Sequence, residues 1–369
     1  MNILISSNYQ WPHLGGIEII CEQLKQSWVR CGHTVTWVTT DIPRAGAPLN
    51  AQNVRLPAWN GFEERFQINC PVVSPFAFWR ILRLVRQHDA VNVHSLAPGL
   101  TSLVILAALL LKKPLVITQQ VAVIPLRWGI INFFQRSFIN FMARICVTKG
   151  AWLTFPVPGL LEYYYKAAHL PAHRLALTPN AYDKQIFTYA NPEMRSTAIK
   201  ALELPPCRLK VLFVGRFVEK KGLAHIETLS RRFPDIHFTL VGRGLLHPEH
   251  WGLPNVRVVD PLPAVELRKY FSAHDLLLLP SVGEGWPLVI CESMACGTPC
   301  LISRETFDSF KQDDDMFLVA DLNDASLAEI LERCNGSKIP LLTRHQQFAD
   351  YATATWDWDA TASKILSLF

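Results

Sequence analysis

Four consecutive leucines, Leu276–Leu279, constrain the fold of this chain more than any other feature. A strand with one wet face alternates apolar and polar residues. An unbroken apolar run closed by Pro280 has no wet face, and suits a parallel sheet covered by helices on both sides. In the continuation, PSVGEGWPLVICESMACGTP, Gly283 and Gly285 break the strand into a loop. Pro287 suits the first helical position, and Gly297 followed by Pro299 suits a helix stop. The expectation is a short helix over 288–296 whose free N–H groups open at the carboxyl end of a strand, where a phosphate is favoured. Glu292 lies four residues after Leu288 and three after Val289, so it shares a helix face with that open end. Its carboxylate would reach the ribose of a nucleoside diphosphate, and Glu284 in the loop would face whatever hangs beyond the phosphates.

The complete phrase E-G-x-P-L-V-x-x-E-x-M-A-x-G-x-P is far more restrictive than a Glu-x7-Glu spacing alone. It resembles the donor site of retaining glycosyltransferases of family four, enzymes with the GT-B architecture of two facing Rossmann-like α/β domains. Other stretches are similar to the same family. HLGGIE puts Gly15 and Gly16 between the first strand and a helix, where paired glycines let backbone approach a ligand. PNAYDKQIF resembles the family's crossing segment, with Ala181 in place of glycine. In VGRFVEKKG, Gly215 and Arg216 lie just past a strand and Lys221 precedes Gly222, so two cations could neutralise a departing diphosphate. The resemblance implies catalytic roles for Arg216, Lys221, Glu284 and His94. It implies donor contacts from Gly15, Gly16, Gly215, Gly285, Trp286, Pro287, Leu288, Val289 and Glu292. It also implies retention of anomeric configuration, no cofactor, and closure of the domains over the sugar.

Two departures bear on catalysis. DAVNVH has Asn92 where the family often has a histidine and keeps His94. Thr118-Gln119-Gln120 stands where the family commonly has Thr-x-His, so Gln120 can hydrogen-bond a sugar hydroxyl but carries no charge. Asn92 and Gln120 are expected in the acceptor and sugar vicinity. No Asp/Glu/His cluster has metal-ligand spacing at a strand end, and no divalent metal is expected.

Length and patterning agree with two domains. The chain has 369 residues, half of them hydrophobic, enough for two ordinary cores. Strands are expected at Asn2–Ser6, 34–39, Ala90–His94 and Leu115–Thr118, with a helix over 19–30. A second series is expected at Lys210–Val214, His237–Val241, Val256–Val259 and Leu276–Leu279. Alternation of strands with helical stretches reads as parallel α/β layers. The polar, proline-bearing stretch 183–208 reads as a linker, and the end TWDWDATASKILSLF as a helix. The domains are then 1–185, joined by the returning helix 355–369, and 186–354.

Charge is uneven. Residues 1–185 carry a net +9 and residues 186–369 a net −4, and between 76 and 149 nine basic residues face the single acid Asp89. FAFWRILRLVR interleaves Phe78, Trp79, Leu82 and Val85 with Arg80, Arg83 and Arg86, which recur at three-residue steps along one side of a helix. LRWGIINFFQRSFINFMAR does the same with Trp128, Phe133, Phe134, Phe138 and Phe141 beside Arg127, Arg136 and Arg144. Such helices suit the headgroup region of an anionic membrane, and the alternative is a core helix with a solvated basic face. A nucleic-acid partner has no supporting motif. The amino terminus, MNILISSNY, enters directly as a strand without a signal-peptide pattern, and the longest apolar run, nine residues over 103–111, is short of the roughly twenty needed to span a bilayer. Nine scattered cysteines without a CxxC pair suit reduced thiols.

The resulting expectation is a cytoplasmic enzyme on the inner face of the plasma membrane, moving a hexose from a UDP- or GDP-sugar to a lipid-linked glycan or glycolipid. A soluble acceptor and a non-catalytic sugar-nucleotide-binding subunit are the alternatives.

Overall fold

The computed structural model describes residues 1–10, 16–42, 53–61, 70–120, 129–310, 314–336, 339 and 341–369. Its contacts divide the chain into two units, Met1–Asn180 with Trp358–Phe369, and Ala181–Asp357.

The first unit contains β1 (Asn2–Ser6), β2 (Thr34–Thr40), β3 (Asn53–Leu56), a short antiparallel pair β4 (Ala58–Trp59) and β5 (Val72–Val73), then β6 (Ala90–His94), β7 (Leu115–Thr118), β8 (Trp152–Phe155) and β9 (Leu175–Leu177). The main sheet runs β3-β2-β1-β6-β7-β8-β9, every neighbouring pair parallel. The second unit contains β10 (Lys210–Val214), β11 (His237–Val241), β12 (Val256–Val259), β13 (Leu276–Leu279), β14 (Cys300–Ser303) and β15 (Leu318–Ala320), in the order β12-β11-β10-β13-β14-β15, again all parallel. All four leucines of β13 are fully buried, as a strand with helices over both faces must be. Both sheets are doubly wound: the order reverses between β1 and β6 in one and between β10 and β13 in the other.

The linker reading of 183–208 is corrected. A helix occupies Pro192–Ala201, capped by the Asn191 side chain, which accepts from Met194 N–H at 2.8 Å, with proline at the first helical position. Arg195 then fastens the helix, donating to the carbonyls of Ser272 at 2.9 Å and His274 at 2.7 Å. The Asn-Pro pair was the legible start signal. The final helix, Trp358–Leu366, lies against helix Gly16–Arg30, where Trp28 Nε1 donates to the Ala362 carbonyl at 3.0 Å.

A similar clasp, buried in the second unit, recurs at the bottom of both sheets. His88 and His274, each just past a helix, donate from Nδ1 to the carbonyls of Leu84 and Tyr270, both at 2.7 Å. Their Nε2 atoms accept from Thr36 and Thr239, both at 2.8 Å. The next residues, Asp89 and Asp275, accept from the backbone N–H of Asn2 at 2.7 Å and Lys210 at 2.6 Å.

Candidate active site

In an open parallel sheet, ligands bind outside the carboxyl ends of the strands where the winding reverses. In the second unit that place lies beyond β10 and β13, and both specific phrases of the sequence start there: 215–222 follows β10 and 280–288 follows β13. The two loops are dovetailed. Gly222, at φ 73°, ends the single turn Glu219–Lys221, and a Cβ there would lie 1.9 Å from the Pro280 carbonyl oxygen. Only glycine accepts both the left-handed backbone and that approach. Val282 N–H donates to the Lys220 carbonyl at 2.9 Å.

The charged groups converge on this joint. Lys221 Nζ lies 2.7 Å from Glu284 Oε1, with side chains only 12% and 9% exposed. Among the described residues Oε1 has no aligned hydrogen-bond donor, so the contact with Lys221 is an ion contact. The Lys221 methylenes run past Gly215, where a Cβ would stand 3.7 Å from Cε. Arg216 is exposed just beyond β10. Lys220, half-buried, belongs to the same cluster, and the sequence reading passed over it. Its pKa is lowered by burial, a shift that Glu284 opposes and that Lys221 and Arg216 reinforce. The doublet Lys220-Lys221 was visible, but only the lysine next to Gly222 attracted a role.

The helix after this loop is Leu288–Ala295, with no side-chain cap at its open end. Pro287 precedes it at ψ 104° as the flanking residue, one position earlier than expected. The helix ends as glycine-terminated helices do: Gly297 has φ 91°, its N–H donates to Met294, and Thr298 N–H donates to Ser293, both at 2.9 Å. Leu288 is buried, while Gly285 and Val289 are half-buried. Glu292 is half-buried and its pKa is raised to about 7, by burial first and by Asp183 second. Burial pushes the thiols of Cys296 and Cys300 to about 12, as befits packing groups.

Trp286 departs from its expected role. Its side chain is buried against Phe310, with ring centroids 4.6 Å apart, and edge-on to Trp356 at 6.1 Å, while Nε1 donates to Cys291 Sγ at 3.2 Å. The indole is a core group.

In the first unit, His94 ends β6, beside the reversal between β1 and β6. It is 1% exposed, burial lowers its pKa to about 3, and neither ring nitrogen has a partner among the described residues. Ser95 follows with φ 85°, a conformation that costs a non-glycine residue of order 1–3 kcal/mol. A neutral imidazole with two free nitrogens beside a strained turn is ready to hydrogen-bond a ligand.

Gln120 presents no free group there, and of the Asn92 amide only Oδ1 is without a partner among the described residues. Asn92 is fully buried and its Nδ2 donates to Val116 O and Thr118 Oγ1, both at 3.2 Å. Gln120 forms a reciprocal amide pair with Asn180, at 2.8 and 3.4 Å, both side chains buried. Position in the motif suggested a sugar contact, but the Gln120 amide and the Asn92 Nδ2 are spent on internal partners. Gly16 opens helix Gly16–Arg30, and a Cβ there would meet nothing within 4 Å, so packing does not require glycine. Gly15 and Arg127 lie outside the described residues.

Arg80, Arg83 and Arg86 are all exposed along helix Ala77–Gln87, beside Phe76 and Trp79 at 86% and 75% exposure. On helix Gly129–Thr148, Arg136, Phe133, Phe134 and Phe141 are exposed. Among the described residues no helix is long and apolar enough to cross a membrane.

Comparison with known proteins extends these observations. The family described as Glycosyltransferase Family 4 matches residues 14–185, and that described as Glycosyl transferases group 1 matches 208–335. The D-inositol 3-phosphate glycosyltransferase of Corynebacterium urealyticum is 31% identical over 149 residues, 36% of this chain and 35% of that protein. The chain thus matches about a third of the length of that curated relative. Among solved structures, sucrose-phosphate synthase from Thermosynechococcus elongatus superposes with a TM-score of 0.76 at 18% identity, covering 100% of this chain and 98% of that one. Anabaena HepE in complex with UDP does so with a TM-score of 0.77 at 14% identity, covering 100% and 99%. With a family model on each half and two doubly wound parallel sheets, this chain belongs to glycosyltransferase family 4 and has the GT-B fold.

Proposed function

We propose that the protein is a retaining glycosyltransferase that moves a hexose from a UDP- or GDP-sugar to a lipid-linked glycan or glycolipid at the cytoplasmic membrane face. The observation that carries the transferase reading is the cluster at the β10/β13 reversal, where Lys221 contacts Glu284 and Lys220 and Arg216 lie near by, ahead of a helix end without a side-chain cap. A diphosphate on that end would be stabilised by the cations and by the helix amides, without need of a divalent metal. Glu292 would accept from the ribose hydroxyls and Glu284 from the hydroxyls of the sugar. The bond from the anomeric carbon to the β-phosphate oxygen breaks, and the electron pair leaves with that oxygen. An acceptor hydroxyl oxygen bonds to the same carbon from the leaving-group face, and its proton passes to the departing phosphate. His94, neutral and unpartnered among the described residues, would hydrogen-bond the sugar.

The membrane part rests on the exposed faces of Ala77–Gln87 and Gly129–Thr148, where arginines stand beside bare aromatic rings. Exposed Phe and Trp next to cations suit headgroups better than water alone. A soluble acceptor is the second reading, favoured by the Corynebacterium relative, which is named for a phosphorylated inositol. Transfer assays with a panel of UDP-, GDP- and ADP-sugars test the first claim, and flotation with anionic vesicles separates the two acceptors. Well-folded protein that neither binds nor cleaves any of these donors would refute the enzyme reading. Failure to float at low salt would leave the soluble acceptor.

A further inference from the structure

The loop that carries Glu284 is fastened on both sides of that residue, and the fastenings come from one short helix. Helix Arg304–Phe310 follows β14 directly. Just before it, Ser303 Oγ accepts from Thr306 N–H at 3.2 Å and donates to the Ser281 carbonyl at 2.6 Å. In the first turn, Glu305 reaches back to the loop, and its Oε1 accepts from the Gly283 N–H at 2.9 Å. At the far end, Phe310 packs on Trp286 with ring centroids 4.6 Å apart. Ser281, Gly283 and Trp286 are thus held from one side, and Glu284 lies between the last two. Gly283 is the weak point of the loop. It stands at φ 64°, and a Cβ there would meet nothing within 4 Å, so backbone conformation rather than space calls for glycine. An untethered glycine samples many conformations, and the next residue, Glu284, would swing with it.

We propose that Glu305 is a positioning residue: by holding the Gly283 N–H it fixes the direction in which Glu284 leaves the loop, toward the sugar of a bound donor. This rests on the sugar-nucleotide reading of the site and deepens it with a residue outside both phrases from which that site was read. Two observations favour positioning over a merely structural role. Glu305 and Gly283 are both exposed, so the hydrogen bond between them adds little to the stability of the fold. The groups it constrains are nearly buried: Glu284 and Lys221 have side chains 9% and 12% exposed, with Nζ 2.7 Å from Oε1. Setting that pair in place beforehand spares an incoming donor the cost of ordering the loop.

The test is calorimetry with UDP, GDP and the matching sugar donors on Glu305→Ala, Glu305→Gln, Glu284→Ala and the double variant Glu305→Ala/Glu284→Ala. Glu305→Ala should weaken the sugar donor about fivefold, the scale of one hydrogen bond, and leave the free diphosphate within about twofold. Glu305→Gln keeps an oxygen for the Gly283 N–H and should bind the donor within about twofold of the unaltered protein. Because Glu305 acts through Glu284, its removal should weaken the donor no further once Glu284→Ala is in place. The thermal midpoint of the empty protein should be nearly the same in Glu305→Ala as in the unaltered chain. Unchanged donor binding by Glu305→Ala overturns the proposal, and so do equal losses for diphosphate and sugar donor. Independent, additive losses in the double variant overturn it as well, as does a loss that Glu305→Gln fails to restore. If the unaltered protein binds none of the probes, the sugar-nucleotide reading fails and the proposal with it, an outcome distinct from the others.

Discussion

Glu292 should be a residue that the empty protein holds at a loss. Its carboxyl titrates near 7 in the fold against an ordinary 4.5, because burial and the neighbouring Asp183 disfavour the anion. Below pH 4.5 the group is protonated in folded and unfolded chains alike and costs nothing. As pH rises from 4.5 to about 7 the unfolded chain ionises while the folded chain resists, so stability falls across that window and levels off above it. A shift of this size is worth about 3 kcal/mol in full, and partial exposure of the side chain reduces it to roughly 1.5–2.5 kcal/mol. Glu292→Gln removes the charge and keeps the shape. The variant should match the unaltered protein at pH 4.5 and exceed it by that amount at pH 8. For a domain of this size that is a rise of several degrees in the midpoint. The same variant should bind every nucleoside diphosphate more weakly at pH 8, since the ribose loses an anionic acceptor. Thermal unfolding from pH 4.5 to 8.5, with calorimetry at pH 8, reads both effects. A variant less stable at pH 8, or a stability gap that does not change with pH, would refute the reasoning.

Lys221→Ala should lower turnover more than donor binding, by roughly 2–4 kcal/mol of transition-state stabilisation, and equal losses in kcat and affinity would reduce it to a ground-state contact. Glu284→Gln releases Lys221 from its 2.7 Å ion contact, so it should bind free diphosphate at least as tightly as before while binding the intact sugar donor more weakly. Weakening of both ligands to the same degree would displace the sugar from Glu284. Arg80/Arg83/Arg86→Ser should reduce flotation with anionic vesicles, at about 1 kcal/mol per arginine, without changing donor affinity, and unaltered flotation would move the contact elsewhere.

The sheets were legible because buried parallel strands write themselves as short apolar runs. Lys210–Val214, His237–Val241 and Leu276–Leu279 all have the bounds that the pattern implied. The helix over Pro192–Ala201 was hidden by polarity: only Ala198 is buried, so it has little apolar stripe to reveal it. Motif position located Arg216, Lys221, Glu284 and Glu292 at the sheet's reversal, because glycines and prolines fix where a loop turns. It could not say which way a side chain points. Trp286 packs into an aromatic cluster, and Gln120 pairs with Asn180 sixty residues away, a partner that no local spacing discloses. Lys220 shows the opposite failure, a local doublet whose importance depends on a loop that follows β13.

The His-Asp clasp gives a physical reason why the two units share a fold while their functional edges differ. In each unit the histidine joins the end of one helix to a threonine paired, in register, two residues beyond the backbone N–H that the aspartate holds: Thr36 opposite Leu4 and Thr239 opposite Leu212. Because a carbonyl only accepts, Nδ1 carries a proton in both rings, and in a neutral ring Nε2 takes one from the threonine, so the imidazole works as a two-ended connector. Burial lowers the His274 pKa to about 3, which keeps that tautomer available across the physiological range. The clasp fixes three elements at the amino ends of the central strands in both sheets, a sheet's length away from the edge where ligands bind. With the bottoms of the sheets tied in the same way, the carboxyl ends can diverge: one unit ends in a buried His94, unpartnered among the described residues, and a strained Ser95, the other in three cations and the carboxylate of Glu284. That division of labour follows the general logic of loops carried on a rigid scaffold. On the function proposed above, it separates a unit for the sugar or acceptor from one for the diphosphate.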